Sequence, residues 1–176
     1  QFSNNFLDSS GNGRHLTKKG TVNFIADKDG IANSAVSFEV PGKIVETAYP
    51  NTPASPCISA WVKQISPSTK TRFLVCINGI GRYWQGFTLA FQDGRIGFTS
   101  NFMRDVHKGE VHRGVKDIKD NNWHHCVVQF DDTTKILKFY VDKILVYMDT
   151  YANSIVYSES TRKIQIGTAS EFPYEA

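Results

Sequence analysis

No stretch of the 176 residues stays apolar for the ~18 positions that a membrane-crossing helix requires, so helical membrane insertion is not expected. Neither sign of charge is in large excess: 20 Lys and Arg stand against 17 Asp and Glu, a formal net charge of +3. The densest basic window, 104–119, carries Arg104, Lys108, Arg113, Lys116 and Lys119 but also Asp105, Glu110 and Asp117, and nets only +2. Such a mixture reads as a solvated face and not as a nucleic-acid footprint. Cysteine is scarce. Cys57, Cys76 and Cys126 form no CxxC or Cys/His spacing, which argues against zinc. They read as small buried apolar side chains, with a Cys57–Cys126 bridge as the alternative. Also missing are helical periodicity over ten or more residues, a phosphate-binding glycine loop and a Ser/His/Asp arrangement. No strand-like run places two carboxylates at i and i+2 or i+4, the arrangement a retaining glycosidase needs. The expectation is therefore a protein without catalytic residues. No signal peptide is visible, and the chain opens on Gln1, which suggests a domain excised from a longer protein.

What is present is a period of two. Apolar residues make up 40% and charged residues 21%, the balance of a folded domain spanning 1–176. "CISAWVKQI" sets Ile58, Ala60 and Val62 against Ser59, Trp61 and Lys63. "HCVVQFD" aligns Cys126, Val128 and Phe130, and "KILKFYVD" sets Leu137, Phe139 and Val141 against Ile136, Lys138, Tyr140 and Asp142. Further short β-branched and aromatic runs follow between turn residues. The pattern predicts an all-β, antiparallel β-sandwich. "QDG" at 92–94 predicts a tight hairpin between "GFTLAF" and "RIGFTS". "VDKI" at 141–144 occupies another hairpin position, with Lys143 where glycine is usual. The stretch 153–160 is read as a short helical turn.

Six motifs come in one order: "DSSGNGRHLT" (8–17), "DKDGIANSAVSFE" (27–39), "ISAWVK" (58–63), "WHHCVVQFD" (123–131), "KFYVD" (138–142) and "IQIG" (164–167). Together they resemble the laminin-G-like branch of the concanavalin-A-like lectin/glucanase superfamily. The resemblance implies a jelly roll of two facing antiparallel sheets. Family members usually begin and end with strands that are mostly missing from this chain. It is thus expected to leave sheet edges open, or to have them completed by neighbouring segments.

Several residues are candidates for function. Calcium takes six to eight oxygens. Asp8 and Asn12 of the first turn could supply some, and Asp29 of the "DKDG" turn could add another. The resemblance places a calcium ion near such a turn, while a self-bonded Asx turn is the alternative. The segment "GIGRYWQGF" offers Arg82, Tyr83 and Trp84. Asn101 and Arg104 of "SNFMRD" could join them. Aromatic rings stack on the apolar faces of sugars while Arg and Asn bond the hydroxyls, and core packing is the competing role. In "WHH", His124 and His125 must point to opposite faces of a strand, so they do not chelate one ion. "HKGEVH" (107–112) is read as an exposed polar loop, with a zinc or substrate site of His107, Glu110 and His112 as the alternative. The expected function is a non-catalytic module recognising a glycan or polysaccharide in a larger extracellular or cell-surface protein. A protein-binding adhesion domain and a divergent glycosidase fragment are the alternatives.

Overall fold

The computed structural model describes residues 2–20, 22–38, 44–48, 53–65, 72–77, 86–92, 94–101, 110–157 and 163–169. Among these, every regular element is a strand: β1 (Thr17–Lys19), β2 (Asn23–Ile25), β3 (Ala35–Ser37), β4 (Ile44–Ala48), β5 (Cys57–Lys63), β6 (Arg72–Ile77), β7 (Phe87–Gln92), β8 (Arg95–Asn101), β9 (Glu110–Asp117), β10 (Trp123–Asp131), β11 (Ile136–Val141), β12 (Ile144–Thr150) and β13 (Lys163–Ala169). They form a seven-stranded sheet in the order β1-β4-β13-β6-β7-β8-β9, a four-stranded sheet in the order β12-β11-β10-β5, and a small β2-β3 pair. The ladders joining these strands are antiparallel. This is the β-sandwich that the alternation predicts.

The alternation also decides what fills the space between the sheets. Val128, Phe130, Leu137 and Phe139 of the four-stranded sheet meet Phe87, Leu89, Ile96 and Phe98 of the other, all at most 2% exposed. Phe98 stacks on Phe139 with ring centroids 6.3 Å apart. Each such side chain contributes about 1.5–3 kcal/mol by leaving water. A bulge between Phe73 and Val75 shifts the phase of β6. Phe73 and Cys76 thereby join Ala90 in a second small cluster.

The turns behave as their residues require. Gln92 pairs with Arg95 across the predicted tight hairpin. Asp142 and Lys143 form the β11–β12 turn at φ 52° and 69°, so Lys143 does sit in the left-handed region. Gly167 in β13 has φ +78°, and a Cβ there would run into the ring of Phe38.

Three expectations are corrected. Residues 153–157 form no helix; Ile155 is pinned in the core. The second half of "HKGEVH" belongs to β9 and is not loop. A Cys57–Cys126 bridge is excluded, because Cys126 is buried on the inner face while Cys57 is exposed. Cys57 pairs in register with Gln129, Cys126 with Ala60. Burial, with a smaller contribution from Asp142, pushes the Cys126 thiol up to about 12.

Candidate functional site

β5 is an edge of its sheet. A cavity of about 1400 Å³ runs along it. Side chains from both faces of β5 line this space: Ile58 and Val62 from the inner face, Ser59 and Trp61 from the outer. It therefore wraps the strand edge. The opposite wall comes from the first turn and from the β2–β3 hairpin, including Asp8, Asp27, Lys28 and Asp29. A concave, largely apolar hollow with a few polar groups is the usual form of a ligand site.

The outer rim is built on cross-strand pairs. Trp61 stands directly opposite His125 on β10. Their rings lie 5.2 Å apart at 31°. His125 Nε2 is 2.9 Å from Ser59 Oγ, one pleat along β5. Lys28 Nζ lies 5.0 Å from the centroid of the Trp61 ring, a cation–π contact. Lys28 also donates to Asp29 Oδ2 at 2.6 Å. The indole is thus fixed from two sides and still 47% exposed. A large aromatic ring held rigid and left in water is an informative departure from the usual burial rule. Ser59 and His125 do not amount to a hydrolytic site. Asp142 bonds the backbone N–H of His125 at 2.9 Å and not its ring, so among the described residues no acid orients the imidazole as a base.

His124 and His125 do point to opposite faces. His124 sits 15% exposed between two carboxylates, with Nδ1 2.6 Å from Asp142 and Nε2 2.9 Å from Asp120. Burial lowers its proton affinity, but the hydrogen bonds its ring donates to Asp120 and Asp142 outweigh that and the net shift is upward. The His124 contact and the Asn122 hydrogen bonds hold Asp120 down to about 2.

The candidate metal ligands are bound to their own turns. Asp8 accepts from Ser10 N at 2.8 Å and from Arg14 N at 3.0 Å. Hydrogen bonds from the Ser10 side chain and backbone and from the Arg14 backbone lower its carboxyl to about 2. The turn closes through Gly11 and Gly13 at φ 81° and 66°. Asn12 Nδ2 donates to Ser10 Oγ at 2.8 Å. Asp27 accepts from Asp29 N and Ile31 N, each at 3.0 Å. Asp8 and Asp29 line the same cavity. No group of three or more acidic, His or Cys side chains converges on a metal position among the described residues. In this arrangement Asp8 and Asn12 are engaged within their own turn, and Asp29 accepts from Lys28.

The proposed sugar contacts Arg82, Tyr83, Trp84 and Arg104 lie outside the described residues. Asn101 ends β8 opposite Glu110, and its side chain lies outside them too. The nearest described feature is a hydrogen bond from Ser100 Oγ to the Gly86 carbonyl at 2.9 Å, which ties the end of β8 to the start of β7. Trp61 and His125 escape a motif search because their own motifs read as strand packing. The available signal was position: Trp61 occupies the outward phase of its strand.

Residues 42–174 match the family described as the concanavalin A-like lectin/glucanases superfamily. A comparison with curated protein sequences finds no match. Among solved structures, an HCR/D mutant superposes with TM-score 0.67 at 15% identity, over 95% of this chain and 41% of its own. Botulinum neurotoxin type C, whose cell entry is described as dependent on interaction with two ganglioside molecules, gives TM-score 0.57 at 13% identity, over 90% of this chain and 42% of its own. The endo-β-1,4-glucuronan lyase of the fungus Trichoderma reesei gives 0.52 at 14% identity, over 92% and 81%. This chain therefore spans about two fifths of the first two proteins.

Proposed function

Because the chain belongs to the concanavalin A-like lectin/glucanases superfamily, we propose that it is a non-catalytic carbohydrate-binding module of a larger secreted or cell-surface protein. The observation that carries this reading is Trp61, exposed and braced by His125 and Lys28 at the mouth of the cavity. The ring offers a flat apolar face to the C–H surface of a pyranose. Ser59, His125, Lys28 and Asp29 surround it with donors and acceptors for hydroxyls. The ganglioside dependence of one structural neighbour and the glucuronan specificity in the name of another support carbohydrate as the ligand class. Binding is favoured over cleavage because the acids at the cavity are engaged in their own turns. Arg82, Tyr83, Trp84, Asn101 and Arg104 are proposed as a second contact group.

A glycan array followed by calorimetric titration tests the reading. Trp61→Ala should weaken glycan binding at least about tenfold, equivalent to about 1.4 kcal/mol, with the melting temperature little changed. Folded protein that captures no glycan, or equal affinity in Trp61→Ala, would sink it. The first of these outcomes favours a protein-binding adhesion domain. That second reading draws on exposed Ile144, Leu145 and Met148, an apolar stretch on β12.

A further inference from the structure

In the same cavity one polar atom of each of two side chains finds no hydrogen-bond partner among the described residues. Gln64 continues the inward phase of β5 past Val62 and is only 6% exposed. Its Oε1 is buried with no hydrogen bond. Arg72 opens β6 opposite Phe91, a residue of the core between the sheets. It therefore enters the gap from the other sheet. Its Nε–H is likewise buried and unbonded. Both residues line the cavity. Folding tolerates such orphans poorly: a buried donor or acceptor has lost its water, and a guanidinium at the protein interior normally holds a carboxylate. Asp8, Asp27 and Asp29 share the cavity, but hydrogen bonds within their turns engage them, and none pairs with Arg72.

We propose that Arg72 and Gln64 form an inner subsite for the carboxylate-bearing residue of an acidic polysaccharide. This rests on the carbohydrate reading above and names the sugar class. The planar guanidinium fork matches a carboxylate, with Nε–H as one of its two donors. Gln64 Oε1 accepts a hydrogen bond from a hydroxyl of the same sugar. One orphaned group is a donor and the other an acceptor, contributed by the inward phases of the two sheets, which is the complement of a hydroxy acid. Trp61 at the mouth then stacks the neighbouring residue of the chain.

The test compares two tetrasaccharides of one linkage: β-1,4-linked glucuronic acid, and cellotetraose, which has CH2OH in place of each carboxylate. Wild-type protein should bind the acidic tetramer about tenfold or more tighter by calorimetry. Arg72→Gln should bind both with the wild-type affinity for cellotetraose. Gln64→Glu, which sets a like charge at the subsite, should weaken the acidic tetramer while sparing the neutral one. Trp61→Ala should weaken both. Circular dichroism checks the fold of each variant. If Arg72→Gln does not fold, Gln64→Glu carries the decision. Equal wild-type affinities, or a preference that survives in the folded variants, overturn the subsite and leave the carbohydrate reading standing. If neither tetramer nor any arrayed glycan binds, the carbohydrate reading falls and takes the subsite with it.

Discussion

Replacing His124 with glutamine should flatten the pH dependence of stability above pH 6. The imidazole bonds Asp142 through one nitrogen and Asp120 through the other. Both can donate only in the doubly protonated ring. The pin joins the β11–β12 turn to the loop before β10, so it ties two connections to one strand end. His124 has a raised pKa in the folded protein. Its stabilisation is fully present below the unfolded value near 6.5 and is lost as pH rises through the folded value. Burial pushes Asp142 up, but hydrogen bonds from His124 and the His125 backbone leave its net shift downward, and Asp120 lies at about 2. Their contributions are present above about 4 and are lost as pH falls through the folded values. The cluster therefore stabilises most between about pH 4 and 6.5. Charge-assisted hydrogen bonds contribute about 1.5–3 kcal/mol each. Both Asp side chains are about half exposed, which screens the interaction. Removing His124 should then cost about 1–2 kcal/mol at pH 5.5, a fall in melting temperature of roughly 2–8 °C. Thermal unfolding of wild type and His124→Gln at intervals from pH 5 to 8.5 measures this. The curves should converge on the alkaline side. Equal slopes for the two proteins between pH 6 and 8.5, or a wild-type stability that rises there, would refute the reasoning.

Two further outcomes follow from the turns. Lys143→Gly relieves a side chain held at φ 69° and should stabilise the protein by about 0.5–1 kcal/mol. A melting temperature that stays level or drops would show that the turn is not strained. Calcium at Asp8, Asn12 and Asp29 is a separate proposal, requiring Asp8 to exchange its two backbone hydrogen bonds for a metal. A ligand that binds only the native state raises the melting temperature. A rise at millimolar calcium supports the ion, and an unchanged value removes it.

Much of the fold was legible because burial on a strand is periodic. Cys126, Val128 and Phe130 alternate with less buried neighbours, and the same arithmetic put Val62 on the inner phase of β5 and Trp61 on the outer. The "QDG" turn predicted its hairpin for a local reason, as did the left-handed position of Lys143. The bulge in β6 was not legible. It depends on how the strand meets its neighbours, and it alone brings Phe73 and Cys76 to one face. Lys28 on Trp61 was equally hidden, since 33 residues separate them and neither motif mentions the other.

The sequence by itself determined the two-layer β class, the side chains available for the core and the local setting of the "DSSGNG" turn. In that turn, Asp8 finds its donors within six residues. Only the tertiary structure decided which outward residues meet. Cross-strand register set Trp61 against His125. Sheet-on-sheet packing brought Gln64 and Arg72 to the lining of one cavity and left Gln64 Oε1 and Arg72 Nε without a hydrogen bond among the described residues. Alternation is a local consequence of backbone geometry. Juxtaposition across strands and sheets depends on register and packing among residues distant in the chain, which no short window of sequence contains.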